Sequence, residues 1–231
     1  NGLGAVVAGI LSLYIVLGRE RVRLSVIPIR ELRSAYKESF PLFVSTLSTQ
    51  IYVNVNKLVI GSFLGMSEVS IYDLGEKVLN LMKLPISMVS QAVFPKISRE
   101  KNIHFVNKIM FLLAGAVFIG YMFVFIASRQ IVYLFTGAYV NDAIVVIRIL
   151  GVSAIIISFN CFLGGNRLVP FGFSSMYMKI MICNCLFFLL ILLILLLANM
   201  INVYTVSLMV VIVEVFCFIV LLIKNRYIGL I

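Results

Sequence analysis

Between residues 40 and 95, two apolar stretches carry Lys57, Asp73, Glu76, Lys77 and Lys83, with Gln50, Asn54 and Asn80 among them. Charge at the depth of a hydrocarbon layer is costly, and where it persists it marks a substrate or ion path or a paired charge. Gln50, Asn54 and Lys57 are spaced i, i+4, i+7 and share one helical face, which Thr46 extends. Asp73, Glu76, Lys77, Asn80, Lys83, Ser87 and Ser90 or Gln91 form a second stripe of about five turns. Stripes of that length face partner helices or a wet cavity, not lipid. The chemistry open to them is capture of an anion by lysine and hydrogen bonding of a polar guest by the amides.

Depth narrows this expectation. Lys57, Glu76, Lys77 and Arg148 each lie about six residues from the outer end of their apolar run, so at 1.5 Å rise per residue they share one layer roughly 10 Å below the surface. Lys83 lies nearer the midplane. The spacing predicts a cavity lined by Lys57, Lys77, Lys83 and Arg148, with Gln50, Asn54 and Asn80 as polar contacts and Asp73 and Glu76 as partial balance. A structural alternative stays open, in which Asp73 with Lys77 (i, i+4) and Glu76 with Lys57 neutralise each other as ties within and between helices. Lys83 and Arg148 are then left over, which favours an anionic guest. Glu214 stands alone in the last apolar run, either as an ion-coupling carboxylate or as a protonated glutamate packed against a neighbour.

The elements that position these groups follow from composition. The chain is 62% hydrophobic and 12% charged, against about 25% charged in an ordinary soluble domain. A hydrocarbon core of roughly 30 Å needs about 20 apolar residues per helical span. Runs of that order lie near 2–17, 40–63, 70–94, 105–127, 142–162, 176–198 and 203–223. The expected fold is an all-α polytopic membrane protein: a six-helix transmembrane bundle over 40–223, preceded by the end of another helix at 1–17. The first run is short and Asn1 stands where a Met would begin a chain, so the sequence reads as starting inside a helix. Residues 18–39, where Leu24, Ile27, Ile29 and Leu32 interleave with Arg21, Arg23, Arg30 and Arg33, read as a basic linker, either amphipathic and lying on the membrane surface or an ordinary loop.

Residues 224–231 read as a cytoplasmic tail. Fourteen of the 19 Lys and Arg fall in or beside alternate connections, four lie inside spans and only Arg129 falls on the opposite side. The positive-inside bias therefore puts the C-terminus in the cytoplasm. The net charge of +10 is thus a topology signal, and a nucleic-acid partner is not expected.

Enzymatic and metal chemistry find little support. There is no HExxH, phosphate-loop or GxSxG pattern, and the connections are too short for a soluble catalytic site. Cys161, Cys183, Cys185 and Cys217 sit in apolar runs without a CxxC or a Cys/His cluster, so neither metal, cofactor nor disulfide is expected. His104 reads as a solvated loop residue.

Several stretches carry a resemblance. Ser39-Phe40-Pro41-Leu42-Phe43, Thr46 to Tyr52, Asn56-Lys57-Leu58-Val59-Ile60-Gly61, Ile71 to Lys77 and Phe94-Pro95-Lys96-Ile97-Ser98 resemble the Wzx-like O-antigen and polysaccharide flippases. These are members of the multidrug/oligosaccharidyl-lipid/polysaccharide transporter superfamily. Gly164-Gly165-Asn166-Arg167-Leu168-Val169-Pro170-Phe171-Gly172 resembles the family's connection after the fifth of these helices. The likeness is specific over roughly 38–100 and only hydropathic beyond about 175.

It implies the C-terminal lobe of a twelve-helix, two-lobed protein of the bacterial inner membrane. Such a protein moves undecaprenyl-pyrophosphate-linked oligosaccharide between leaflets by alternating access. Its partners would be that lipid-linked sugar, the membrane lipids, the N-terminal lobe of the same chain and the polysaccharide polymerase machinery. The rivals are a multidrug cation antiporter of the same superfamily, which would want a site dominated by acids, and a membrane polymerase or glycosyltransferase of the same pathway, which would want a large loop.

Overall fold

In the computed structural model, residues 29–230 are described, together with Val6, Val7, Gly9, Leu11, Ser12, Tyr14 and Ile15, which are helical. The readings of 1–17 as a helix end and of 18–28 as part of a linker fall largely outside these residues. Among the described residues from Ile29 on, six helices follow one another: α1 (Ile29–Phe63), α2 (Met66–Glu100), α3 (Ile103–Thr136), α4 (Asn141–Leu163), α5 (Ser174–Leu197) and α6 (Val203–Tyr227), with a π-helical turn at Gly164–Leu168. No strand occurs among the described residues, and the all-α polytopic class is borne out. Among the described residues, four stretches are long and apolar enough to cross a membrane: Ile103–Thr136, Asn141–Leu168, Ser174–Leu197 and Val203–Tyr227. The other two helices, α1 and α2, carry the polar stripes, which lower their hydropathy although they are as long. By its internal contacts the chain divides into Asn1–Ser39 and Phe40–Ile231, and the architecture described next is that of the second unit.

The helices outrun the apolar runs, which corrects the expected loops. The segment 95–108 is almost wholly helical, because the stop signals lie later than Pro95. Lys101 adopts the left-handed conformation (φ 47°) and donates its N–H to Ile97 O, closing α2. Asn102 then opens α3, its Oδ1 accepting the Phe105 N–H at 3.1 Å. His104 therefore sits exposed in the first turn of α3 rather than in a loop. Likewise α3 continues to Thr136 and ends at Gly137, whose φ of 70° favours glycine. At the start of α6, Asn202 and Thr205 form a reciprocal capping box.

The central helix is α4, packed along α2, α3 and α6. Two glycines let it do so. A Cβ on Gly75 of α2 would come within 2.7 Å of Val146 Cγ1, and one on Gly151 of α4 within 2.7 Å of the Tyr121 ring. Close backbone approach of this kind is how membrane helices gain packing contacts where lipid offers no hydrophobic drive. Leu79, Ile86, Val146, Leu150, Phe188 and Val213 fill the interior, while Leu112, Ile119, Ile126 and Leu134 of α3 and Leu197 of α5 point outward. The opening ends of α4 and α6 are tied by Tyr204, whose hydroxyl donates to Asp142 Oδ1 at 2.5 Å.

Candidate functional site: an ion-pair ladder and a buried carboxylate

α1 and α2 are joined by a turn at Leu64 and Gly65, and this antiparallel return brings Lys57 opposite Asp73 and Glu76. The Lys57 ammonium lies 2.7 Å from Asp73 Oδ1 and 2.5 Å from Glu76 Oε2. Asp73 also holds Lys77, one turn on, at 2.9 Å through its other oxygen. Four groups thus form one alternating ladder, Lys77–Asp73–Lys57–Glu76. Both pairs of the structural alternative are present in it, and Lys57 bridges them. The side chain of Lys77 is 66% exposed and that of Glu76 only 13%, so the ladder runs from the surface inward.

The exposed end of the ladder continues a polar face. Gln50 and Asn54 are exposed on α1, with the Asn54 amide donating to Gln50 O at 2.8 Å and Gln50 Oε1 at 3.3 Å. Asn80, Ser87 and Gln91 are exposed on α2. This strip of amides, hydroxyls and lysine lies on the outside of the bundle, on helices that also turn Leu58, Leu81, Leu84 and Met88 outward.

Behind the strip lies a second constellation. Glu214 of α6 is buried. Its Oε1 accepts from the Tyr52 hydroxyl of α1 at 3.0 Å, and its Oε2 from the Asn160 amide of α4 at 2.8 Å. The same amide reaches the Glu214 carbonyl at 3.1 Å. Lys83 of α2, half-buried, lines a narrow cavity of about 20 Å³ together with Glu214, Glu76, Asn56 and Tyr72. That is room for about one water. Four helices therefore converge on one carboxylate, and the cavity leads from it towards the inner end of the ladder at Glu76.

Arg148 is placed elsewhere. Its guanidinium lies over the Phe125 ring at 4.6 Å and its Nε donates to Ser128 Oγ at 3.0 Å, both on α3. The expected single cation layer thus brings Lys57 and Lys77 together, sets Lys83 beside Glu214 and leaves Arg148 on the α3 side of α4. The reason is angular: Val146 and Leu150 of α4 face Gly75 of α2, and Arg148, midway between them, points away.

Arg167, expected in or beside the connection after the fifth apolar run, is fully buried in the π-turn at its start, with Asn107 of α3 as its hydrogen-bond partner. Gly164 makes the turn possible, since a Cβ there would meet the Tyr177 ring at 2.6 Å. Among the described residues no three His, Cys, Asp or Glu side chains gather to hold a metal.

Comparison with known proteins accords with this geometry. The family model described as polysaccharide biosynthesis protein matches residues 2–101. Two proteins described as O-antigen transporters are similar, one of Shigella dysenteriae at 21% identity over 82% of this chain and 49% of its own length, and one of Escherichia coli (strain K12) at 22% over 80% and 46%. The chain spans about half the length of the curated relatives it matches. In fold it is similar to the crystal structure of MATE in complex with MaL6, with a TM-score of 0.72 and 18% identity, over 97% of this chain and 54% of that one.

Fold and stripes together define a multi-pass helical membrane protein. Within that class the chain is similar to O-antigen transporters, and the polysaccharide biosynthesis family model matches the part of it that holds the motifs between 38 and 100.

Proposed function

We propose that this chain supplies one lobe of a flippase that carries undecaprenyl-pyrophosphate-linked oligosaccharide from the cytoplasmic to the outer leaflet of a bacterial inner membrane. The observation that carries the reading is the polar strip of exposed Gln50, Asn54, Lys77 and Asn80 with half-buried Lys57, on helices that also turn Leu58, Leu81, Leu84 and Met88 outward. A strip of that kind wants a wet, polar neighbour. A second lobe of the same protein facing it across a cavity provides one. In that cavity Lys77 and Lys57 attract the pyrophosphate, as lysine attracts phosphate by point charge, and the amides bond sugar hydroxyls.

The step is alternating access, with no covalent chemistry. Binding of the anion to Lys77 competes with Asp73, so the guest loosens the ladder at its exposed end. Glu214 and Lys83 lie where α1, α2, α4 and α6 meet, and a change in the charge or ligation of that carboxylate would act on all four. Glu214 is accordingly the carboxylate through which an ion gradient couples to lobe movement. A cation-exporting rival of the same superfamily fits less well, because the surface end of the ladder presents Lys77 and not an acid.

The test is complementation. The full-length gene is expressed in a strain lacking its own flippase, and surface polysaccharide is scored by gel ladder. Restoration by wild type, and its loss in Lys77→Glu at matched protein level, supports the proposal. Failure of the wild type to restore any ladder with its cognate sugar pathway present would refute it.

A further inference from the structure

A groove between α5 and α6 lies apart from the ladder and the buried carboxylate. Met176, Lys179, Ile180 and Cys183, spaced i, i+3, i+4, i+7, present one face of α5 to it, and Val220 and Lys224 close it from α6. Its volume is about 390 Å³, on the order of a dozen waters at roughly 30 Å³ each. Apart from the two lysines the lining is apolar. Both lysines are exposed, and neither forms an ion pair with an acid among the described residues.

The arrangement is graded. Lys179 is in the second turn of α5 and Lys224 in the last turn of α6, so both charges stand at the same end of the antiparallel helix pair. Cys183 and Val220 each lie four residues further into the bundle, about 6 Å deeper at 1.5 Å per residue. Cation outside and apolar floor inside is the polarity of a membrane lipid with an anionic headgroup. A peptide or a soluble anion would use one half of this groove and leave the other unmatched.

We propose that the α5–α6 groove binds one anionic phospholipid of the adjoining leaflet. Its phosphate sits between Lys179 and Lys224, and an acyl chain runs over Ile180, Cys183 and Val220. Pockets between transmembrane helices that carry basic residues at one rim are built for such headgroups, and each lysine near the surface adds about a fivefold preference. Two lysines give an expected preference of ten- to thirtyfold for phosphatidylglycerol over phosphatidylcholine of the same chains. The lipid would brace α5, which packs on α6 along this seam, and make stability depend on membrane charge.

The experiment is native mass spectrometry of the full-length protein in detergent, titrated with phosphatidylglycerol or phosphatidylcholine. Three forms are compared: wild type, Lys179→Gln/Lys224→Gln, and Arg99→Gln/Lys108→Gln, which removes the same charge from exposed sites elsewhere. One tightly held phosphatidylglycerol in wild type, lost in the first double variant, kept in the second and restored by Lys179→Arg/Lys224→Arg, supports the site. Equal loss in both double variants would reduce the effect to diffuse charge and overturn it. So would equal binding of the two lipids, displacement by inorganic phosphate alone, or a stronger preference for undecaprenyl phosphate, which would assign the groove to an isoprenoid.

Discussion

Lys57 reaches two acids that are not equivalent, and the difference can be measured. Asp73 keeps a second cation, Lys77, at 2.9 Å, whereas the 2.5 Å contact with Lys57 is the ion pair that holds Glu76 among the described residues. Glu76 is also the more enclosed, 13% exposed against 32% for Asp73. At 2.5 Å and an effective dielectric of about 20, the attraction of Lys57 and Glu76 is about 7 kcal/mol before desolvation. Exposed pairs retain only about 0.2–1 kcal/mol of such attraction, while breaking a buried pair costs about 3–5 kcal/mol. A ladder running from surface to interior falls between these limits. The expected Lys57–Glu76 coupling is about 2 kcal/mol, and the Lys57–Asp73 coupling about 0.5 kcal/mol because Lys77 remains. Double-mutant cycles with Lys57→Gln, Glu76→Gln and Asp73→Asn, read by reversible unfolding of the full-length protein in detergent, give both numbers. The double variant Lys57→Gln/Glu76→Gln is expected to recover most of what either single change loses. A Lys57–Asp73 coupling equal to or larger than that of Lys57–Glu76 would refute the reasoning.

Three further outcomes follow from the packing. Gly75→Ala places a methyl 2.7 Å from Val146 Cγ1, and overpacking of about 1–3 kcal/mol outweighs the ~0.5–1 kcal/mol gain in helix propensity, so the thermal midpoint falls. Gly115→Ala on α3, with nothing within 4 Å, should not lower it, which controls for propensity. Glu214→Leu strands the Tyr52 hydroxyl and leaves the Asn160 amide only the backbone carbonyl of residue 214, and is expected to cost about 2–4 kcal/mol, whereas Glu214→Gln keeps a side-chain acceptor and stays within about 1–2 kcal/mol, both measured by unfolding. Asn107→Leu removes the partner of the buried Arg167 guanidinium and should destabilise by about 2–3 kcal/mol in the same assay.

What the sequence made legible was periodicity. Gln50, Asn54 and Lys57 fall on one face because helical spacing dictates it, and the pairs Asp73–Lys77 and Lys57–Glu76 follow once two such faces return on each other. The angular position of Arg148 was not legible, because depth was inferred from distance to a run's end while direction depends on which side of α4 meets α2, a matter decided by Gly75. The burial of Arg167 was not legible, because the connection that begins at Gly164 starts as a π-turn packed on Tyr177, which sets the guanidinium against Asn107. The partners of Glu214 were missed as well. Asn160, a lone amide in an apolar run, was a findable signal, while Tyr52 is defined only by tertiary packing. Helix ends ran past the apolar runs at Lys101 and Thr136 because caps, rather than hydropathy, terminate helices.

The central claim is that a protein containing this lobe moves a lipid-linked sugar from one leaflet to the other. Its most direct measurement is leaflet transfer in proteoliposomes: full-length protein reconstituted with a fluorescent undecaprenyl-pyrophosphate-linked oligosaccharide of the cognate repeat, an ion gradient imposed, and outer-leaflet probe destroyed by a membrane-impermeant quencher. The expected result is protein-dependent transfer of the oligosaccharide lipid that Lys77→Glu abolishes. Transfer no faster than in protein-free vesicles, with the protein folded and the gradient intact, would contradict it.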